Sequence, residues 1–142
     1  MKTAVVYWSG TGNTEAMAGS VAEGAKSAGA EVSVFTAADF SAEMVDQFDS
    51  IAFGCPSMGS EQLEDSEFEP MFNACEAKLS GKKVGLFGSY GWGDGEWMRE
   101  WESRMLDAGA NVLNREGLIC HETPDDDALE DCRSLGKQLA SL

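Results

Sequence analysis

The chain has 142 residues, and its 10 Lys and Arg against 25 Asp and Glu give a formal net charge of −15. This length suits one sizeable core, and we expect a single domain over residues 1–142. With 43% hydrophobic residues and 16 glycines, the composition is typical of a globular chain with many tight turns and excludes a disordered one. The acidic excess argues against binding to nucleic acid or an anionic membrane surface, and it favours partners that carry a basic patch.

The N-terminal apolar run and the cysteines indicate a cytoplasmic protein. Residues 3–8 are too short a run for the core of a signal peptide, and no apolar stretch approaches the roughly 18 residues of a membrane helix. The cysteines show no C-x-x-C pair and no metal-ligand spacing, and the only histidine is His121. We therefore expect no metal site, and free thiols in a reducing compartment. These thiols belong to Cys55, Cys75, Cys120 and Cys132.

Short β-rich runs alternate with helical patterns along the whole chain. In chain order we predict strand 3–8, a helix that ends at Ala28-Gly29, strand 31–35, a short helix 41–48, strand 50–54, helix 67–79, strand 83–88, helix 96–108, a fifth strand in the two pieces 111–113 and 117–120, and helix 126–139. The alternation predicts an α/β fold of three layers, a doubly wound parallel sheet of five strands with helices on both faces. Ligands of such sheets bind beyond the carboxyl ends of the strands.

The loop after the first strand, residues 9–14, reads Ser-Gly-Thr-Gly-Asn-Thr and leads into a helix. Its glycines let main-chain N–H groups turn inward, and the helix dipole adds partial positive charge, which suits a phosphate. The loop has no Lys, so it is not a nucleoside-triphosphate loop, and Glu15 stands where the dinucleotide fingerprint needs its third glycine. An ordinary turn capped by Asn13 or Thr14 is the alternative to a phosphate site.

The loop after the third strand contains Cys55-Pro56-Ser57-Met58-Gly59-Ser60-Glu61. Pro56 fixes a turn and Gly59 permits positive φ, so we expect the Met58–Gly59 peptide to reorient between turn types. Met58 is a polarizable side chain at a loop tip, although a loop methionine is more often a packing residue. The acidic run that follows favours a solvated face; it comprises Glu61, Glu64, Asp65, Glu67 and Glu69.

The loop after the fourth strand places Trp92 between glycines in Ser89-Tyr90-Gly91-Trp92-Gly93-Asp94-Gly95. An indole flanked by glycines typically stacks on a flat aromatic ligand. The alternative is that Trp92 covers the surface of its own domain. Trp97 and Trp101 lie at helical spacing and are predicted to be packing residues, and Trp8 is predicted to pack within its strand. The loop after the fifth strand, which includes His121 and Glu122, does not require a ligand.

With these three loops in this order, the chain resembles flavodoxins of the short-chain, clostridial type. The resemblance covers essentially the whole chain and is strongest in residues 7–15, in Met58-Gly59 with Glu61, in residues 67–70 and in residues 81–98. It implies the strand order 2-1-3-4-5, with FMN at the point where the strand order reverses.

The resemblance also implies which residues bind FMN. The phosphate would be held by Ser9, Gly10, Thr11, Gly12, Asn13 and Thr14. Met58 and Trp92 would enclose the isoalloxazine ring, with the Gly59 carbonyl offered to N5–H and Glu61 accepting from N3–H. The ribityl chain and the ring edge would be lined by Ser89, Tyr90, Gly91 and Gly93, and the remaining cofactor-binding positions are Pro56 and Ser57. Departures from the family pattern at Pro56, Ser60 and Glu122 affect the tuning of the site and not the identity of the cofactor.

The function implied is that of a low-potential one-electron carrier, which cycles non-covalently bound FMN between semiquinone and hydroquinone and has no catalytic residues. Its partners would be ferredoxin-dependent or NAD(P)H-dependent oxidoreductases, met by an acidic rim on a monomeric carrier. Because the three loops contain no Lys or Arg, we expect the last electron to be held weakly.

Other classes of function are less consistent with the strand ends. An FMN-dependent enzyme such as a quinone reductase would need a catalytic acid, base or nucleophile there, and the sequence shows none with a partner residue at the strand ends. A receiver-type module would need paired acids after the first strand and an Asp at the end of the third, where this chain has Trp8-Ser9 and Gly54-Cys55. A flavodoxin dedicated to activating one enzyme stays open, because it would differ only in its surface.

Overall fold

The structure is a computed structural model, and it describes residues 1–113 and 117–141. Its elements are β1 (Lys2–Tyr7), α1 (Asn13–Ser27), β2 (Glu31–Thr36), two 3₁₀ helices (Ala37–Asp39 and Ala42–Gln47), β3 (Ser50–Gly54), α2 (Phe68–Glu76), β4 (Lys83–Tyr90), α3 (Glu96–Asp107), β5 (Asn111–Val112), β6 (Leu118–His121) and α4 (Asp126–Ala140). The predicted strands and helices are confirmed within three residues at each end. The predicted short helix at 41–48 is a 3₁₀ helix.

All strand pairs are parallel, and the sheet has the order β2-β1-β3-β4-β5. The predicted order is therefore confirmed. The fifth position is divided, because β5 pairs with the first residues of β4 while β6 pairs with its last four, Phe87–Tyr90. The predicted interruption, residues 114–116, lies outside the described residues. Since β1 has β2 on one side and β3 on the other, the strand order reverses between β1 and β3.

Side chains alternate between two cores along each strand, as the pleat requires. In β1, Val5 faces α1 and α4, while Ala4 and Val6 belong to the larger core on the other side. That larger core contains the aromatic residues of α2 and α3, including Phe68, Phe72, Trp97 and Trp101. The packing role predicted for Trp97 and Trp101 is thus confirmed.

Glycines bring α1 and α4 into close contact. A Cβ at Gly24 would overlap the carbonyl of Arg133, and a Cβ at Gly136 would overlap the carbonyl of Val21. The two helices therefore cover their face of the sheet as one layer, and α1 is held rigidly behind the loop that precedes it.

Hydrogen bonds continue the sheet into the loops at its carboxyl edge. The N–H of Trp8 donates to the carbonyl of Gly54 at 3.0 Å, and that of Ser57 donates to Ser89 at 3.0 Å. Glu122 donates to Tyr90 at 2.8 Å. The four strand-end loops are consequently fixed side by side.

Candidate cofactor-binding site

A groove of about 420 Å³ lies at the carboxyl edge of the sheet and is formed by all four strand-end loops. It is lined by Trp8, Gly10, Thr11, Asn13, Pro56, Ser57, Met58, Ser89, Tyr90, Gly91, Glu122 and Thr123. Most of the predicted cofactor-binding residues are therefore brought together. The predicted residues that do not line this groove are Ser9, Gly12, Thr14, Gly59, Glu61, Trp92 and Gly93.

Loop 9–14 is shaped by the hydroxyl of Ser9. Its Oγ accepts hydrogen bonds from the N–H of Gly12 at 3.1 Å and from that of Glu15 at 3.3 Å. Gly12 has a φ of 95°, a left-handed conformation that glycine adopts without strain. The N–H groups of Thr11, Asn13 and Thr14 donate to no atom of residues 1–113 and 117–141. Unpaired N–H groups at the start of a helix form a binding site for an anion.

Thr14 and Ser89 connect this loop to β4 through a buried pair of hydroxyls. Their oxygens lie 2.9 Å apart, and the N–H of Ser89 donates to Thr14 Oγ1 at 3.4 Å. Both residues are at most 4% exposed. The hydroxyl of Thr14 is thus bound to protein, and Thr14 has its N–H to offer to a ligand.

The segment from Met58 to Gln62 is a narrow hairpin. Met58 and Gln62 exchange two main-chain hydrogen bonds of 2.8 Å, so the Met58 carbonyl is fixed. Reorientation of the Met58–Gly59 peptide, expected from the sequence, would break one of these two hydrogen bonds. The carbonyl of Gly59, in the next peptide, accepts from no residue that the structure describes. Reorientation of the Gly59–Ser60 peptide would break no hydrogen bond of the described residues.

Glu61 is buried, with only 9% of its surface exposed. Its Oε1 accepts from the N–H of Glu96 at 3.1 Å, where the partial positive charge at the start of α3 stabilises a carboxylate. The carboxylate also lies against Gly93, where a Cβ would overlap it. Glu61 thereby holds the loop that carries Trp92.

Glu64 is buried as well, and it caps α2. Its Oε1 accepts from the N–H groups of Glu67 and Phe68, both at 2.8 Å, and its Oε2 accepts from the N–H of Ser66 at 2.9 Å and from the Ser66 hydroxyl. Burial raises the pKa of Glu64, but these hydrogen bonds outweigh it, and the pKa is lowered from its ordinary value. The acidic run is therefore not a solvated face throughout, because Glu61 and Glu64 are buried.

The side chains predicted to enclose a ring are exposed. Met58 is 38% exposed and Trp92 is 62% exposed, a large apolar surface for a loop residue. The Trp92 loop is supported from behind, since His121 Nε2 lies 3.2 Å from the Gly91 carbonyl and the Tyr90 and His121 rings lie 5.1 Å apart. Because Trp92 does not belong to a hydrophobic core, it is available to pack on a ligand.

Comparison with known proteins decides the family. The model of the Flavodoxin family matches residues 5–136. The chain is 51% identical over 136 residues to a flavodoxin of Megasphaera elsdenii, which covers 96% of both chains, and 46% identical over 138 residues to one of Clostridium beijerinckii, which covers 97% of this chain and 99% of the relative. A solution structure of the two-electron reduced Megasphaera elsdenii flavodoxin matches with a TM-score of 0.87 and 50% identity, over 97% of this chain and 98% of the other.

The chain belongs to the flavodoxin family. Flavodoxins are FMN-binding electron-transfer proteins, so the protein is an electron carrier and not an enzyme, its cofactor is FMN, and it delivers electrons to redox partners. Within residues 1–113 and 117–141, the helices are all too short or too polar to cross a membrane.

The site has the chemistry that FMN requires of a flavodoxin. Three unpaired N–H groups at the start of α1 can donate to a phosphate, and Met58 and Trp92 offer apolar surface to a ring. No Lys or Arg of the described residues lines the groove. The nearby Arg99 is occupied by Asp94, with a 2.9 Å ion pair. The residues present therefore fit the cofactor.

Three residues line the groove without having been assigned to it from the sequence: Trp8, Glu122 and Thr123. Trp8 was predicted to pack within its strand, but its position directly before the glycine loop was a usable signal. Glu122 has a φ of 58°, a conformation that sequence patterns do not reveal for a glutamate.

Proposed function

We propose that this flavodoxin is a one-electron carrier that binds FMN in the groove at the carboxyl edge of its sheet, through the residues predicted from the sequence. The observation that supports this most directly is the set of unpaired N–H groups at the start of α1, next to a groove that no described cation lines. Such a site binds a phosphate by directed hydrogen bonds and leaves its charge uncancelled.

The phosphate would be held by residues 9–14. Thr11, Asn13 and Thr14 donate their main-chain N–H groups, and Ser9 keeps the loop in shape because its hydroxyl accepts from Gly12 and Glu15. Gly10 and Gly12 let the chain approach the phosphate closely. Thr14 acts through its N–H, since its hydroxyl is bonded to Ser89.

Met58 and Trp92 would enclose the flavin ring and exclude water from its two faces. The Gly59 carbonyl, to which no described residue donates, would accept a hydrogen bond from N5–H. Glu61 would accept a hydrogen bond from N3–H with its Oε2, an atom that makes no hydrogen bond within the described residues, while its Oε1 accepts from the N–H of Glu96. The cradle is completed by Pro56, Ser57, Ser89, Tyr90, Gly91 and Gly93.

The electrostatics of the groove favour a low potential for the second electron. FMN supplies two successive one-electron steps, and the second places negative charge on the ring. Around it this chain offers the buried carboxylate of Glu61 and no described Lys or Arg. Added negative charge is therefore disfavoured there, and the second electron is passed on readily.

An acidic rim receives the partner. Exposed carboxylates near the groove include Asp65, Glu67, Asp94 and Glu122, and they complement basic patches on ferredoxin-dependent or NAD(P)H-dependent oxidoreductases. We propose that the carrier is monomeric, cytoplasmic and a single domain over residues 1–142.

Comparative flavin binding tests this assignment. Protein freed of flavin is titrated with FMN and with riboflavin, which lacks the phosphate, and the FMN complex is then reduced stepwise without oxygen. We expect FMN to bind at least tenfold more tightly and to take up its two electrons at separate potentials. Equal affinities for the two flavins would exclude the phosphate site, and a single two-electron step would exclude the carrier function.

A further inference from the structure

We propose that Trp8 and Glu67 form a positioning pair, which holds the phosphate-binding loop in the conformation that FMN requires. This inference rests on the proposed function, because it assumes that residues 9–14 bind the phosphate. Neither residue belongs to the predicted cofactor-binding set, and Glu67 does not line the groove.

The indole of Trp8 supports the loop directly. A Cβ at Gly10 would lie 3.1 Å from Cη2 and 3.2 Å from Cζ3 of Trp8. Gly10 therefore packs with its main chain on the six-membered ring, at the residue before the unpaired N–H of Thr11. A shift of the indole would carry Gly10 and the N–H groups behind it.

Packing fixes this indole only in part, because Trp8 is half-buried and lies against the larger core with the rest of its surface open. Trp8 lines the cofactor groove on one side and a second cavity, of about 320 Å³, on the other. The second cavity also contacts Glu15, residues 36–38 and Glu67. A side chain with open space on two sides keeps rotational freedom that a close-packed neighbour would remove.

A single hydrogen bond restrains the indole across these cavities. Trp8 Nε1 donates to Glu67 Oε1 at 3.0 Å, which joins residues 59 positions apart. The main chain of Glu67 is held in place, because its N–H donates to the buried carboxylate of Glu64 at 2.8 Å. The start of α2 thus anchors the indole, and the indole anchors the loop.

The Trp8–Glu67 pair should affect binding of the FMN phosphate and not binding of the flavin ring. A loop already in its bound conformation loses less entropy when it orders around the ligand. Loss of this hydrogen bond therefore lowers the affinity for FMN. The affinity for riboflavin, which makes no phosphate contacts, stays the same. The ratio of the two dissociation constants measures this effect and is insensitive to general destabilisation.

The decisive variants are Glu67→Ala and Glu67→Gln. Both remove a negative charge near the phosphate, which by electrostatics alone would strengthen FMN binding equally in both. Only the glutamine keeps an oxygen that accepts from the indole. We expect the FMN dissociation constant of Glu67→Ala to exceed that of Glu67→Gln by about 3- to 10-fold, the effect of one hydrogen bond. Asp65→Ala, which removes an exposed carboxylate from the same segment, is the matched control and should resemble Glu67→Gln.

Trp8→Phe provides an independent test, since it keeps an aromatic ring and removes the donor. It should lower FMN affinity to a similar extent, and Glu67→Ala should then add no further loss in that background. Equal FMN affinities in Glu67→Ala and Glu67→Gln would overturn the inference, as would a matching loss of riboflavin affinity. If the unmodified protein bound FMN and riboflavin equally, the proposed phosphate site would be wrong instead.

Discussion

Trp92→Ala tests whether the exposed indole is a ring-binding side chain. Trp92 is 62% exposed and its indole makes no hydrogen bond or ring contact with the described part of the chain. Its removal should therefore leave the flavin-free protein as stable as before, and any loss of binding should reflect the contact with FMN.

The expected loss follows from the exposed area. A tryptophan presents up to about 250 Å², so about 150 Å² of Trp92 is accessible, and a stacked ring would cover roughly half of it. At about 25 cal/mol per Å², covering some 75 Å² contributes about 2 kcal/mol, or about a 25-fold change in dissociation constant. The same indole excludes water from the reduced ring, so the variant should also accept the second electron at a less negative potential.

Fluorescence titration with FMN and riboflavin provides the assay, with redox titration of the FMN complex alongside. Because Trp92 contacts the ring and not the phosphate, the variant should lose affinity for FMN and for riboflavin by the same factor. Glu67→Ala, by contrast, should lose affinity for FMN alone. Trp92→Phe should retain most of the affinity. An unchanged dissociation constant, a loss confined to FMN, or a more negative second potential would refute the reasoning.

Three further perturbations probe the other parts of the site. Gly59→Val introduces a β-branched residue at a φ of 54° and should restrict the orientation of the carbonyl at position 59. We therefore expect redox titration to show the two potentials of FMN closer by about 20–65 mV, the equivalent of one hydrogen bond. An unchanged separation would contradict this. Glu64 has a lowered pKa, so its stabilising effect is complete above the ordinary glutamate range and is lost as the pH falls through the folded value. Denaturant unfolding should accordingly show Glu64→Gln less stable by about 1–3 kcal/mol at pH 7, with the deficit shrinking in acid, and a deficit constant with pH would argue against the cap. Rising salt should slow electron transfer to a basic reductase, measured by stopped flow, whereas a rate independent of salt would exclude docking through the acidic rim.

The fold was readable from the sequence because each element carries a local signal. Residues 51–53 form a continuous apolar run, and all five residues of β3 are buried, as a central parallel strand requires. Segment 41–48 has a helical pattern too short to build a stable α-helix, and it forms a 3₁₀ helix. The division of the fifth strand could be suspected only from polar residues at 114–116, because pairing of both halves with β4 is a tertiary property.

The candidate site was harder to predict from the sequence where a side chain has its partners far along the chain. The glycine loop and the Met-Gly turn are continuous motifs, and Gly10, Thr11, Asn13 and Met58 line the groove as expected. Glu61 and Glu64 looked like part of a solvated run, because their burial depends on donors in α3 and α2. The role of Trp8 was hidden for the same reason, since its partner Glu67 is 59 residues away.

The net charge of −15 is a poor guide to the potential at the cofactor, because screening over about 8 Å makes distant exposed charges weak. Placement of the cations matters more. Arg104 binds Glu69 and Glu76 between α2 and α3, Arg99 pairs with Asp94, and Arg133 lies with Glu23 on the α1–α4 face. These three guanidiniums form ion pairs with carboxylates outside the groove, and none of them lines it. A cation introduced at the groove, for example by Glu122→Lys, would therefore change the second potential more than removal of several acids elsewhere on the surface.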